Sequence, residues 1–147
     1  MPLLRILHVE DDPDDAFFFR RSVKSAKLDW DLNRVHNGEG AIAFLRQTIS
    51  ANGSSSPSNP DLVLLDLKLP GLSGFDVLSW MRAQADLKTV PVIVLSGSSL
   101  VQDKDRALAL GANEFIVKHS DYDAIVSLLT QFIATIGLLS NSLMSKD

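Results

Sequence analysis

Short apolar runs alternate with helix-length amphipathic segments along this chain, and that alternation is the strongest constraint on its fold. The runs at 5–9, 62–67, 92–95 and 114–117 are too short for buried helices, and 30–35 alternates polar with apolar residues. Helix signals fill the intervals. Asp12-Pro13-Asp14-Asp15 offers a side-chain cap, a proline in the first turn and acids favoured by the dipole, for a helix to about Lys27. Asn37-Gly38 opens a second helix, from Glu39 to about Thr48. Ser73-Gly74-Phe75-Asp76 reads as a capping box for a third, ending near Ala85. Ser99-Leu100-Val101-Gln102 caps a fourth, which Gly111 stops, and Ser120-Asp121-Tyr122-Asp123 caps a long fifth. Continuous apolar strands joined by helices imply an α/β fold: a parallel sheet covered on both faces, with right-handed crossovers.

With 147 residues, 46% of them apolar, the chain has the size of one domain, with its core at about 3–135. The Ser-, Asn-, Gly- and Pro-rich stretch 50–60 reads as a solvated loop, because too little chain lies on either side to fold alone. No cysteine is present, which excludes disulfide frameworks, thiolate zinc sites and cysteine nucleophiles. A net charge of −4 without a basic cluster argues against nucleic-acid binding. No run reaches the ~20 apolar residues that span a bilayer, and the start lacks a signal-peptide pattern, so a cytoplasmic location without membrane contact is expected.

Four strand ends carry chemistry. Glu10-Asp11-Asp12 closes the first run, Asp66 the third, Ser96 the fourth and Lys118 the fifth. Ligands of open parallel sheets bind outside the carboxyl ends of the strands, so these groups converge in space. Carboxylates, a hydroxyl and an ammonium gathered in one place are suited to holding a divalent cation and a phosphoryl group together. Each group also has a plainer use. Asp66 can cap a turn, Glu10 and Asp11 can be a solvated helix entry, Ser96 a loop serine, Lys118 a surface lysine and Phe115 ordinary strand packing. Asp12 reads as the cap before Pro13. His8 reads as a buried imidazole, whereas His36 and His119 lack metal-ligand spacing.

The ordered set Glu10-Asp11, Asp66, Ser96 and Lys118 resembles the receiver domain of two-component response regulators over roughly residues 3–135. The resemblance implies a flavodoxin-like (βα)5 fold with strand order 2-1-3-4-5. It implies that Asp66 is the phosphoacceptor for a histidine kinase, and that Mg²⁺ is held by Asp11, Asp66 and the Lys68 backbone carbonyl, with Glu10 acting through water. Lys118 would pair with a phosphoryl oxygen, Ser96 would donate its hydroxyl to the transferred group, and Phe115 would change rotamer with that movement. The long polar loop, the extended C-terminus and His119 in place of the usual proline further resemble stand-alone regulators of bacterial phytochrome kinases. His119 leaves the geometry of the preceding peptide bond open. Lys68, two residues beyond Asp66, has a side chain long enough to obstruct hydrolytic water.

Three function classes compete: a phosphorylation-driven switch acting through protein binding, a scaffold that works without phosphorylation, and an aspartate-nucleophile phosphatase. The phosphatase reading lacks the second acid two residues after the nucleophile, where Lys68 stands, and flavin binding lacks a phosphate loop after the first strand. The fifth helix adds an expectation about assembly. Ile125, Leu129, Phe132, Ile136, Leu139 and Leu143 form one apolar stripe, and Val126, Ile133 and Leu138 lie off it. A second apolar face needs cover, which points to a homodimer through the fifth helix and the residues after it.

Overall fold

In the computed structural model, which describes residues 4–50 and 59–137, five strands and five helices alternate along the chain. They are β1 (Leu4–Val9), α1 (Pro13–Ser25), β2 (Trp30–Val35), α2 (Gly38–Ser50), β3 (Leu62–Leu65), α3 (Gly74–Ala83), β4 (Val92–Ser96), α4 (Val101–Ala109), β5 (Glu114–Val117) and α5 (Tyr122–Thr135). The strands form one parallel sheet in the order β2-β1-β3-β4-β5, the order that the resemblance implies.

Strand alternation divides the apolar side chains between two cores. Leu7, Val9, Val63, Leu65, Val92 and Val94 meet Ala41 and Leu45 of α2, Val77, Leu78 and Met81 of α3, and Ala107 of α4. Ile6, Leu62, Leu64, Ile93, Leu95 and Ile116 meet Phe19 and Val23 of α1 and Ile125, Val126, Leu129 and Ile133 of α5. The three inner strands are therefore apolar on both faces, as a sheet covered twice requires.

Local chemistry sets the helix ends. The Asp12 carboxylate accepts from the N–H groups of Asp14 and Asp15, with Pro13 opening α1. Ser73 and Asp76 make both bonds of the capping box expected for α3. Two expected caps move by one residue. The N-cap of α4 is Leu100, which has no side-chain cap, and Ser98 rather than Ser99 serves this turn. The Ser98 hydroxyl accepts from the Leu100 N–H at 3.3 Å and donates to Asp103 at 2.5 Å. For α5 the cap is Asp121, one past Ser120, and it accepts from the Ala124 N–H at 3.0 Å. A local pattern with two adjacent hydroxyl or carboxylate candidates fixes a helix start only to within a residue.

The fifth helix buries side chains both on the expected stripe and off it. Val126 and Ile133 are buried in the α1–α5 core beside Ile125 and Leu129, while Phe132 and Ile136 are only partly buried. An α5 packed against both the sheet and α1 needs a buried face wider than one stripe, so Val126 and Ile133, two of the three side chains that called for a partner, are covered within the domain. Leu138, Leu139, Leu143 and the stretch 51–58 lie outside the described residues. Among the described residues no helix is long and apolar enough to cross a membrane, and no peptide bond is cis, so the Lys118–His119 bond is trans.

Candidate functional site

Register delivers the site. Val9 is paired with Leu65 and accepts from the Asp66 N–H at 3.2 Å, so Glu10 and Asp66 leave adjacent strand ends side by side. Strand β3 stops at Leu65, two residues short of the expected end, which places Asp66 just past the ladder. Ser96 pairs with Val117, and the Lys118 N–H donates to the Ser96 carbonyl at 2.7 Å, bringing Lys118 to the same edge. Arg34 fixes the entry to α1 by donating to the carbonyls of Glu10 at 3.0 Å and Asp11 at 3.3 Å. Gly74 lets α3 approach from the other side: its N–H donates to the Leu67 carbonyl at 2.9 Å, and a Cβ there would run into the Asp66 carbonyl oxygen.

The Lys118 ammonium is the hub. It lies 2.7 Å from Glu10 Oε1, 3.0 Å from Asp15 Oδ2 and 3.0 Å from Asp66 Oδ2. An ammonium has three N–H donors, so these contacts use all of them. Asp66 is buried, and its other oxygen accepts from the Lys68 N–H at 3.2 Å. Glu10 is buried as well, its Oε2 accepting from the Asp12 N–H at 3.2 Å. Asp11 is exposed, yet one carboxylate oxygen each from Glu10, Asp11 and Asp66 lie within 4.8 Å of one another. Three hard oxygen donors so placed fit a small divalent cation.

Protonation follows from burial and from sharing one cation among several anions. Burial raises the Glu10 carboxyl to about 7, and the Lys118 contact offsets this only in part. Burial also disfavours the Lys118 ammonium, but the Glu10 hydrogen bond and the Asp66 charge outweigh it and hold the lysine above its ordinary range. His8, buried against Phe19 with Lys118 nearby, falls to about 3 and is neutral.

Of the residues singled out in the sequence, Glu10, Asp11, Asp66 and Lys118 come together. Ser96 is fully buried, with its hydroxyl accepting from the Ser98 N–H at 3.3 Å. Phe115 is partly buried against the core shared with α2, α3 and α4. Lys68 is exposed and meets Asp66 through its backbone N–H. Two members of the network escape sequence reasoning, Asp15 and Tyr122. The Tyr122 hydroxyl donates to Asp15 Oδ1 at 2.5 Å while Lys118 takes Oδ2. Asp15 looks in sequence like one more acid in a helix first turn, and its partners stand 103 and 107 positions away. These two residues, with Asp14, Phe18, Lys118, His119 and Ser120, line an open groove of about 450 Å³ beside the carboxylate cluster.

Comparison with known proteins gives the same reading. A family model, response regulator receiver domain, matches residues 6–130. The response regulator Rcp1 of Synechocystis sp. is 35% identical over 113 residues, covering 77% of this chain and 75% of the relative. The crystal structure of the phosphorylated cyanobacterial phytochrome response regulator RcpA has a TM-score of 0.76 at 29% identity, covering 90% of this chain and 92% of that one. The Mn²⁺-bound form of Rcp1 has a TM-score of 0.73 at 31% identity, covering 88% and 91%. Because the matched span runs from β1 well into α5 and takes in every element that builds the site, the chain belongs to the family of response regulator receiver domains.

Proposed function

We propose that this protein is a phosphorylation-driven signalling switch, located in the cytoplasm, whose output is a change in protein binding. The observation that carries the reading is the buried Asp66 carboxylate, 3.0 Å from a permanently charged lysine and beside two further acids. An oxygen of Asp66 attacks the phosphorus of a kinase phosphohistidine, the P–O bond forms as the P–N bond breaks, and the electron pair leaves with the imidazole nitrogen, which solvent protonates. Asp11, Asp66 and the Lys68 carbonyl would hold Mg²⁺ directly, with Glu10 acting through water. When bound, the cation offsets charge on two anionic reactants. Receiver domains bind Mg²⁺ or Mn²⁺ at an acidic cluster, and Rcp1 has been solved with Mn²⁺. Lys118 pairs with a phosphoryl oxygen, Ser96 supplies its hydroxyl to the transferred group, and Phe115 answers the movement of the Ser96 loop. The kinase partner is a histidine kinase of the phytochrome class, on the strength of the phytochrome response regulators among the chain's likenesses.

The test is incorporation of phosphate from a small donor such as acetyl phosphate, with and without Mg²⁺. We expect one hydroxylamine-sensitive phosphate per chain, formed only with the cation, none in Asp66→Asn, and in Asp11→Ala slower labelling with weaker Mg²⁺ binding, so that more of the cation is needed. Label that persists in Asp66→Asn would overturn the assignment.

A further inference from the structure

With Asp66 as the phosphoacceptor proposed above, the donor count at Lys118 bears directly on phosphoryl transfer. All three N–H groups of the ammonium are taken by carboxylates, so a phosphoryl oxygen can enter only by displacing one of them. Glu10 and Asp66 are buried at the strand ends and meet the ammonium at 2.7 and 3.0 Å. Asp15 comes from α1 with a side chain 31% exposed and brings a third carboxylate to the ammonium at 3.0 Å. Its second oxygen is held by the Tyr122 hydroxyl, and the Tyr122 ring stacks on Phe18 with centroids 6.0 Å apart. Asp15 is thus bound on both oxygens and stays beside the ammonium. We infer that Asp15 is a positioning residue acting through Lys118: it occupies the third donor and competes electrostatically with the incoming phosphoryl group, while the Tyr122 hydroxyl moderates that competition by sharing the carboxylate's charge. Asp15 therefore slows phosphorylation, and its removal releases Lys118 toward the phosphoryl oxygens.

Neutralising Asp15 and stripping its hydrogen bond should move the rate in opposite directions, which a loss of packing would not do. With acetyl phosphate and saturating Mg²⁺, Asp15→Asn should be labelled about three- to tenfold faster than wild type, the size expected for one partly screened charge. Tyr122→Phe, which keeps the ring and leaves Asp15 a more concentrated charge, should be labelled more slowly. High salt should shrink the Asp15→Asn advantage, because a partly exposed charge is screened. Tyr122 is the single tyrosine of the chain, so its ultraviolet ionisation spectrum is read without overlap. Ionisation should move to lower pH in Asp15→Asn. An Asp15→Asn rate at or below wild type, or a Tyr122→Phe variant that is not slowed, overturns the inference while leaving Asp66 the acceptor. A wild type that takes up no more phosphate than Asp66→Asn removes the phosphoacceptor reading itself.

Discussion

Glu10 stands at the innermost point of the carboxylate cluster, and its burial makes its ionisation oppose folding in the absence of metal. Its carboxyl moves from 4.5 to about 7, chiefly because burial penalises the charged form. The folded state therefore binds this proton more tightly than the unfolded chain does. The resulting stabilisation is complete below the unfolded value, and it is lost as pH rises from about 4.5 through 7. That is the reverse of a carboxylate held down by an ion pair. Gln at this position keeps an oxygen for Lys118 without the charge. In chelator at pH 8, Glu10→Gln should be more stable than wild type by roughly 1–3 kcal/mol, with the advantage shrinking towards pH 5. Urea midpoints at the two pH values decide. A variant less stable at pH 8 would show that the Glu10–Lys118 pair is net stabilising.

At the scale of elements, the loops that carry the site are tied down by specific polar groups. Arg82 at the end of α3 donates to the carbonyls of Leu87, Val90 and Gly111 at 2.8–3.2 Å, joining the α3–β4 loop to the turn before β5. Gly111 is the residue that permits it, with φ +109° and a missing Cβ that would stand 2.8 Å from Arg82 Nε. Arg82→Ala should lose about 2–4 kcal/mol, since three carbonyls lose a forked donor. Arg82→Lys should recover less than half of that, because a point charge cannot reproduce the fork. Chemical denaturation measures both, and a lysine variant as stable as wild type would refute the role of the fork. At α4, Ser98 accepts from the Leu100 N–H and donates to Asp103, bracing the loop that follows Ser96. Ser98→Ala should cost about 1 kcal/mol and Ser99→Ala almost nothing, reversing the order that the sequence suggests. Equal losses in thermal unfolding would mean that both hydroxyls serve the turn.

For the molecule as a whole, the pertinent question is whether α5 faces a partner or its own domain. Val126 and Ile133 are each 2% exposed, against α1 and the sheet, and Leu128 is the large apolar side chain that α5 leaves at the surface among its described residues. Of the three off-stripe residues that pointed to a homodimer through α5 and the C-terminus, Val126 and Ile133 are covered within the domain and Leu138 lies outside the described residues. Val126→Asp separates the possibilities. A charge placed in the core should cost more than about 4 kcal/mol and abolish cooperative unfolding in circular dichroism. A folded variant that merely sediments as a smaller species would return Val126 to an interface.

The sequence by itself determined the element types and the main carboxylates of the site. Apolar runs of four to six residues between capped amphipathic segments permit few folds, and a parallel sheet brings its strand ends to one edge, so Glu10, Asp11, Asp66 and Lys118 were legible as a set. Those signals are local or topological, and neither needs the rotation of a helix about its axis. Only the tertiary structure decided which side chains complete the network. Asp15 and Tyr122 meet Lys118 because α1 and α5 pack against each other at one angle on one face of the sheet. The same packing buries Val126 and Ile133, and the placement of α3 against the loops sets Arg82 among its carbonyls. Contacts between residues a hundred positions apart depend on how whole elements dock, and no periodicity within a single element encodes that.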